Sequence, residues 1–219
     1  MAAVLVTGCN RGIGLELCRQ LDKQGEDVIG VCRSPSEAAE KLKIRLIDDV
    51  DVSSDTDIER LKKMLSGESL DVLINNAGIL RRDSLDELDV EAVSEQFEVN
   101  TLGPLRVTRA LLKNLHKGSK VAIVTSRMGS IADNTSGGYY GYRISKSAVN
   151  MLGVTLARDL DKRGIAVALL HPGMVATEMT GGQGVAVSDS ARGLLSRIDE
   201  LTLETSGGFW HAEGQTLPW

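Results

Sequence analysis

AVLVTGCNRGIGLELCRQL, residues 3–21, starts as an apolar run, breaks at a turn with three glycines, and resumes with Ile13, Leu17 and Leu21 at four-residue spacing. The first run has the composition of a buried strand, and the later spacing marks one face of a helix. Between them Gly8, Gly12 and Gly14 permit a tight turn, close approach of a pyrophosphate and tight packing of helix on strand. The helix N-terminus offers free N–H groups to phosphate oxygens. The spacing is Gly-x-x-x-Gly-x-Gly rather than Gly-x-Gly-x-x-Gly, so the weight rests on the turn's place after a first strand and before a first helix. Asn10, Arg11 and Ile13 share that turn.

The alternation continues outward. Short apolar runs at 27–32, 44–47, 71–76, 120–126 and 165–171 are separated by amphipathic stretches, one of which carries Ile58, Leu61 and Leu65 on a single helical face. This predicts an α/β fold, a single-domain Rossmann-type doubly wound parallel sheet with helices on both faces, over residues 1–219. No repeat, low-complexity tract or linker divides the chain. The least patterned segment is TGGQGVAVSDS, 180–190, which follows a strand. It predicts a mobile substrate loop over about 178–195, because open α/β sheets bind ligands at the carboxyl ends of their strands.

Of 219 residues, 42% are apolar and 25% charged, an ordinary globular composition. Thirty acidic against 25 basic side chains give a net charge of −5, and so no reason to expect a nucleic-acid or membrane partner. Cys9, Cys18 and Cys32 form no CxxC pair and are odd in number, which suits buried thiols in a reducing compartment. His116, His171 and His211 are scattered, so no metal centre is indicated. MAAVLVTG lacks the basic start and long apolar run of a signal peptide, and no window approaches a membrane span, which predicts a cytoplasmic protein.

The second strand ends in Val31, Cys32 and Arg33, where an NAD-preferring site commonly places an acidic residue for the ribose 2′-hydroxyl. Arg33, with Arg11 from the glycine turn, suits a 2′-phosphate better than a neutral diol, so NADP is the expected cofactor, with NADPH preferred over NADH.

All three tyrosines lie in GGYYGYRISKS, residues 137–147. Tyr142 alone has a lysine, Lys146, four positions on, which places the two on one helical face. A phenol titrating near about 10 is a poor acid–base group at neutrality, and a nearby ammonium favours its ionised form. Tyr139 has Arg143 at that spacing, a cation that does not exchange protons near neutrality.

With TGCNRGIG, Asp51-Val52, NNAG at 75–78, Asn100, the serine of VTSRMG, YRISK and PGMVAT in this order, nearly the whole chain resembles the short-chain dehydrogenase/reductase family. The wording of SGGYYGYRISKSAVN is most similar to the sniffer-type carbonyl reductases and C-factor-like proteins. The resemblance implies that Tyr142 donates a proton to a carbonyl oxygen, and that Ser126 holds that oxygen. Lys146 would bind the nicotinamide ribose and lower the tyrosine pKa, and Asn100 would anchor a relay water. Asp51 and Val52 would face the adenine, and Asn76, Ala77 and Gly78 the adenosine side. Pro172, Gly173, Val175 and Thr177 would face the nicotinamide.

The serine-to-tyrosine interval common in the family would select Tyr139. Pairing with Lys146 selects Tyr142 and implies a small insertion in IADNTSGG at the substrate mouth. Ser130 is the rival serine but lies past the strand end, and Tyr139 and Tyr140 are left to pack at the helix start or line the pocket. The implied activity is NADPH-dependent reduction of a small-molecule aldehyde, ketone or dicarbonyl by a homodimer or homotetramer. The alternative is a regulatory protein of C-factor type that binds the dinucleotide without relying on turnover. A nucleotide-sugar epimerase ranks last, since little chain follows Thr177 to form its substrate domain.

Overall fold

The computed structural model describes residues 2–219. Seven strands, β1 Ala3–Thr7, β2 Asp27–Val31, β3 Arg45–Ile47, β4 Leu70–Asn75, β5 Leu115–Val124, β6 Ala166–His171 and β7 Phe209–His211, form one parallel sheet in the order β3-β2-β1-β4-β5-β6-β7. The helices are α1 Gly12–Gln24, α2 Glu37–Glu40, α3 Asp55–Met64, α4 Val90–Phe97, α5 Gly103–Ala110, α6 Tyr140–Asp161 and α7 Val187–Asp199. Strands of this kind read as continuous apolar runs because helices cover both of their faces.

Side chains alternate across the sheet. Leu5, Leu73, Ile123 and Leu169 join Leu61, Val107 and Val149 of α3, α5 and α6 in one core. Val4, Val6, Ile74 and Leu170 join Leu17 of α1 and Leu194 and Ile198 of α7 in the other. The chain runs outward from β1 to β3 and then returns past β1 to β4, so the crossover direction reverses between β1 and β4. A crevice opens at the carboxyl ends of strands at such a switch point. The glycine turn follows β1 there and residues 76–78 follow β4.

One expectation needs correction. The loop over about 178–195 is much shorter, because α7 begins at Val187 and buries Ala191, Leu194, Leu195 and Ile198. What precedes it is tied down by a Val175–Val185 bridge, with Val185 N donating to Met174 O at 2.8 Å. The glycines masked this pattern, which starts only after Gly184. β7 carries no signature in the sequence: three residues next to glycines show no alternation, and its burial comes from pairing with β6 and from Phe209 stacking on Trp219 at 5.3 Å. The three cysteines are free and buried, and among the described residues no helix is long and apolar enough to cross a membrane.

Candidate active site

The glycine turn is clamped onto residues 76–78. Thr7 Oγ1 accepts from Asn76 N at 3.0 Å and Ala77 N at 3.1 Å, while Asn76 Nδ2 donates to Thr7 O at 3.0 Å. Gly8 has φ +71°, and a Cβ on it would lie 2.9 Å from Ala77 Cα. The first turn of α1 has no capping side chain and no acidic residue, so its N–H groups remain available to an anion. This cradle fits a pyrophosphate. Asn10 O accepts from Ser36 Oγ at 2.6 Å, which fixes the outer limb of the turn, and Ile13 packs half-buried against the α1–α7 core.

Across the crevice, Gly12 faces Thr177: a Cβ there would lie 3.5 Å from its methyl group. Arg11 pairs with Glu178, and Arg33 pairs with Asp51 at 3.6 Å, all on partly or fully exposed side chains. Burial opposes the Asp51 charge, but hydrogen bonds from Ser53 and the Arg33 guanidinium hold its carboxyl below the usual range. Val52 is buried, packed where a Cβ on Gly103 would meet its Cγ2 at 2.9 Å. Pro172 O accepts from Ser190 Oγ at 2.7 Å, Gly173 has φ +85° and Val175 is buried. Arg11 belongs to the turn and Arg33 follows β2, and each already has a carboxylate partner.

On α6, Tyr142 is 8% and Lys146 5% exposed, and Lys146 Nζ lies 5.6 Å from the centre of the Tyr142 ring. Lys146 Nζ donates to Val124 O at the end of β5, at 3.0 Å. Close packing sets this position, since a Cβ on Gly129 would come within 2.6 Å of the Lys146 carbonyl carbon. Ser126 lies two residues beyond β5 rather than closing it; its Oγ accepts from Met128 N at 3.1 Å and caps the turn Arg127–Gly129. Ser130 Oγ accepts from Asp133 N at 3.1 Å, which places that side chain in the turn.

The expected lowering of the tyrosine pKa by lysine is not what burial produces. Desolvation pushes the Tyr142 phenol up to about 12, with the Ser126 hydroxyl acting in the opposite direction, and the same burial lowers Lys146 to about 8. Both groups are driven toward their neutral forms, and a neutral phenol is a proton donor. Asn100 sits in a π-helical turn, Glu98–Leu102, between α4 and α5. Its Oδ1 accepts from Ile79 N at 2.8 Å, and its Nδ2 donates to Ile79 O and to Ser145 Oγ, which itself donates to Tyr142 O. The Asn100 side chain is thus committed to protein partners. Gly78 lies between these groups: a Cβ on it would lie 3.1 Å from Asn100 Oδ1 and 3.7 Å from Lys146 Nζ.

Tyr139 and Tyr140 are half-buried at the start of α6, and Arg143 donates to Gly138 O and Ser136 Oγ, bracing the preceding loop. Two neighbours had no sequence signal. His171 ends β6; burial, His211, Arg127 and Lys146 lower its pKa to about 3, and its Nδ1 has no hydrogen-bond partner. Asp83 reaches α6 from the loop after β4, a contact spanning 57 residues that no local pattern encodes.

A family model described as short chain dehydrogenase matches residues 2–186. The chain is 45% identical to the 1-hydroxy-2-glutathionyl-2-methyl-3-butene dehydrogenase of Rhodococcus sp. (strain AD45), with all of both chains covered. It is 47% identical to C-signal of Myxococcus xanthus over 68% of this chain and 93% of that one. Among solved structures it is similar to the NADPH-bound carbonyl reductase from chicken fatty liver, with TM-score 0.91, 31% identity, and 100% and 99% of the two chains covered. The carbonyl reductase Sniffer of D. melanogaster matches with TM-score 0.91, 29% identity and full coverage of both. A glycine turn at the switch point of a seven-stranded parallel sheet, together with matches over this much of the chain, makes the chain an oxidoreductase of the short-chain dehydrogenase family.

Proposed function

We propose that the protein is an NADPH-dependent carbonyl reductase that moves a hydride to an aldehyde, ketone or dicarbonyl, and the reverse reaction from the alcohol. The observation that carries this is the buried Tyr142–Lys146 pair beside Ser126 at the edge of the glycine-turn crevice. A bound nicotinamide would supply the hydride. Tyr142 then gives its hydroxyl proton to the developing alkoxide, Ser126 donates to the same oxygen, and the buried Lys146 stabilises the phenolate left behind. The relay water would be anchored by the main chain of Asn100, whose side chain is spent on Ile79 and Ser145. Asp51, Val52 and Asn76 to Gly78 line the adenosine side, and Pro172 to Thr177 the nicotinamide side. The test is a carbonyl panel run with NADPH and with NADH; no oxidation of either across the panel removes this reading.

Reduction requires a protonated phenol, which burial preserves up to about 12, and a charged Lys146, which burial releases at about 8. Turnover in the reducing direction is expected to fall as pH rises through about 8. A kcat profile that stays level to about pH 10 takes Lys146 out of the chemistry.

Arg33→Asp is expected to weaken NADPH binding by about 10- to 100-fold, the range of a lost charge-assisted contact, and to leave NADH nearly unchanged. Equal losses for both dinucleotides, read by fluorescence titration, would remove the 2′-phosphate assignment.

The relative that bears the name of a glutathionyl alcohol dehydrogenase supports including alcohols next to a thioether in the panel, in the oxidising direction. Cytoplasmic residence and a homodimer or homotetramer complete the proposal, the latter covering Ile144 and Met151, exposed on α6. Sedimentation at micromolar concentration tests the assembly. A second reading, a regulatory dinucleotide-binding protein, is favoured by the similarity to C-signal. Rescue of a deletion phenotype by Tyr142→Phe would select it over the enzyme.

A further inference from the structure

The helix that carries Tyr142 and Lys146 begins without help from its own sequence. Its N-cap, Tyr139, offers no side-chain acceptor and sits at φ +53°, after Gly137 at +63° and Gly138 at +64°. Three consecutive left-handed residues make an unstable entrance to a helix, and a residue with a Cβ is disfavoured in that region. The first N–H groups of α6 would be unsatisfied.

One residue from elsewhere satisfies them. Asp83 O accepts from Tyr139 N at 3.1 Å, Asp83 Oδ1 accepts from Tyr140 N, and Asp83 Oδ2 accepts from Gly141 N at 3.0 Å. Its loop is itself pinned at two points: Ile79 N on Asn100 Oδ1 at 2.8 Å, and Arg81 N on the buried Gln96 Oε1 at 2.8 Å. Gly141 also lies so close to α4 that a Cβ on it would meet Val93 Cα at 3.0 Å. The segment 78–83 is therefore a strut from the cofactor crevice, at Gly78, to the amide immediately before Tyr142.

We infer that Asp83 is a positioning residue for the reaction: it holds the first turn of α6, and with it the Tyr142 hydroxyl, in register with the crevice. This rests on the reading of Tyr142 as the proton donor. Each carboxylate oxygen takes a different amide, so an amide side chain can replace one of the two contacts and alanine neither. Loss of a cap alone lowers stability modestly, whereas a reacting group displaced by about 1 Å can lose up to about a hundredfold in rate.

The test compares Asp83→Asn and Asp83→Ala with the parent and with Tyr142→Phe. The readouts are kcat, NADPH dissociation constant and thermal midpoint, with kcat measured well below the lowest midpoint. The expected result is a graded fall in kcat, about threefold for Asn and about tenfold or more for Ala, with NADPH binding within about twofold of the parent. In the Tyr142→Phe background, Asp83→Asn is expected to cause no further loss, because it acts through the group already removed. If Tyr142→Phe is inactive while both Asp83 variants keep parental kcat and merely melt earlier, Asp83 is a structural cap and the inference is overturned while the catalytic reading stands. If Tyr142→Phe keeps the parental rate, the catalytic reading falls, and the inference with it. Should Asp83→Ala fail to fold, the Asn variant alone decides: parental kcat overturns the inference, and a fall in kcat of about threefold with NADPH binding unchanged supports it.

Discussion

Tyr142→Phe is expected to lower kcat by about a thousandfold while changing NADPH affinity by less than about twofold, the signature of a lost general acid. The substitution removes one oxygen and leaves the ring. That ring is 8% exposed, and Lys146 Nζ, held by Val124 O, keeps its place at 5.6 Å from the ring centre. Fold and cofactor crevice should therefore persist, and single-turnover reduction with saturating NADPH isolates the chemical step. Ser126→Ala is expected to cost less, about 10- to 100-fold, because Ser126 orients the oxygen without supplying its proton. A parental rate in Tyr142→Phe would turn attention to Tyr139 and Tyr140, half-buried at the same helix start.

Gly14→Ala is expected to abolish measurable dinucleotide binding and to lower the thermal midpoint. Two effects oppose each other. Alanine within a helix is favoured over glycine by about 1 kcal/mol. Against this, the new methyl group would overlap the Gly8 carbonyl oxygen and lie 2.5 Å from Asn76 Nδ2. Neither neighbour can move freely: the first is backbone in the phosphate turn, and the second is held by Thr7 O. Overpacking of this kind costs about 1–3 kcal/mol, so the steric effect wins, and its relief opens the turn against residues 76–78. Gly12→Ala is the milder control, since its Cβ would meet only the Thr177 side chain, at 3.5 Å from the methyl group and 3.9 Å from its Cβ, though at φ +54°. Titration of intrinsic fluorescence with NADPH measures both, and parental affinity in Gly14→Ala would mean that the turn has room the packing denies it.

Local patterns are legible when short-range physics enforces them. The apolar run of β1, the glycines that permit the turn, and the spacing of Ile13, Leu17 and Leu21 each express steric or periodic constraints within a few residues, so a parallel sheet covered by helices, with a glycine turn after its first strand, followed from sequence alone. The pairing of Tyr142 with Lys146 was readable for the same reason, being one helical turn.

What the tertiary structure decided lies between segments. β7 exists because β6 offers an edge to pair with, and the half of the 178–195 segment that is helical buries its apolar face on α1 and the sheet. Burial, a property of the assembled core, sends the Tyr142 phenol up and the Lys146 amine down, opposite in sign for tyrosine to what the ammonium alone would do. The carboxylates beside Arg11 and Arg33, and the Asp83 cap on a helix 57 residues away, are likewise contacts between distant segments. Sequence spacing encodes who shares a face of one element; desolvation and contacts between elements arise only once the chain has closed on itself.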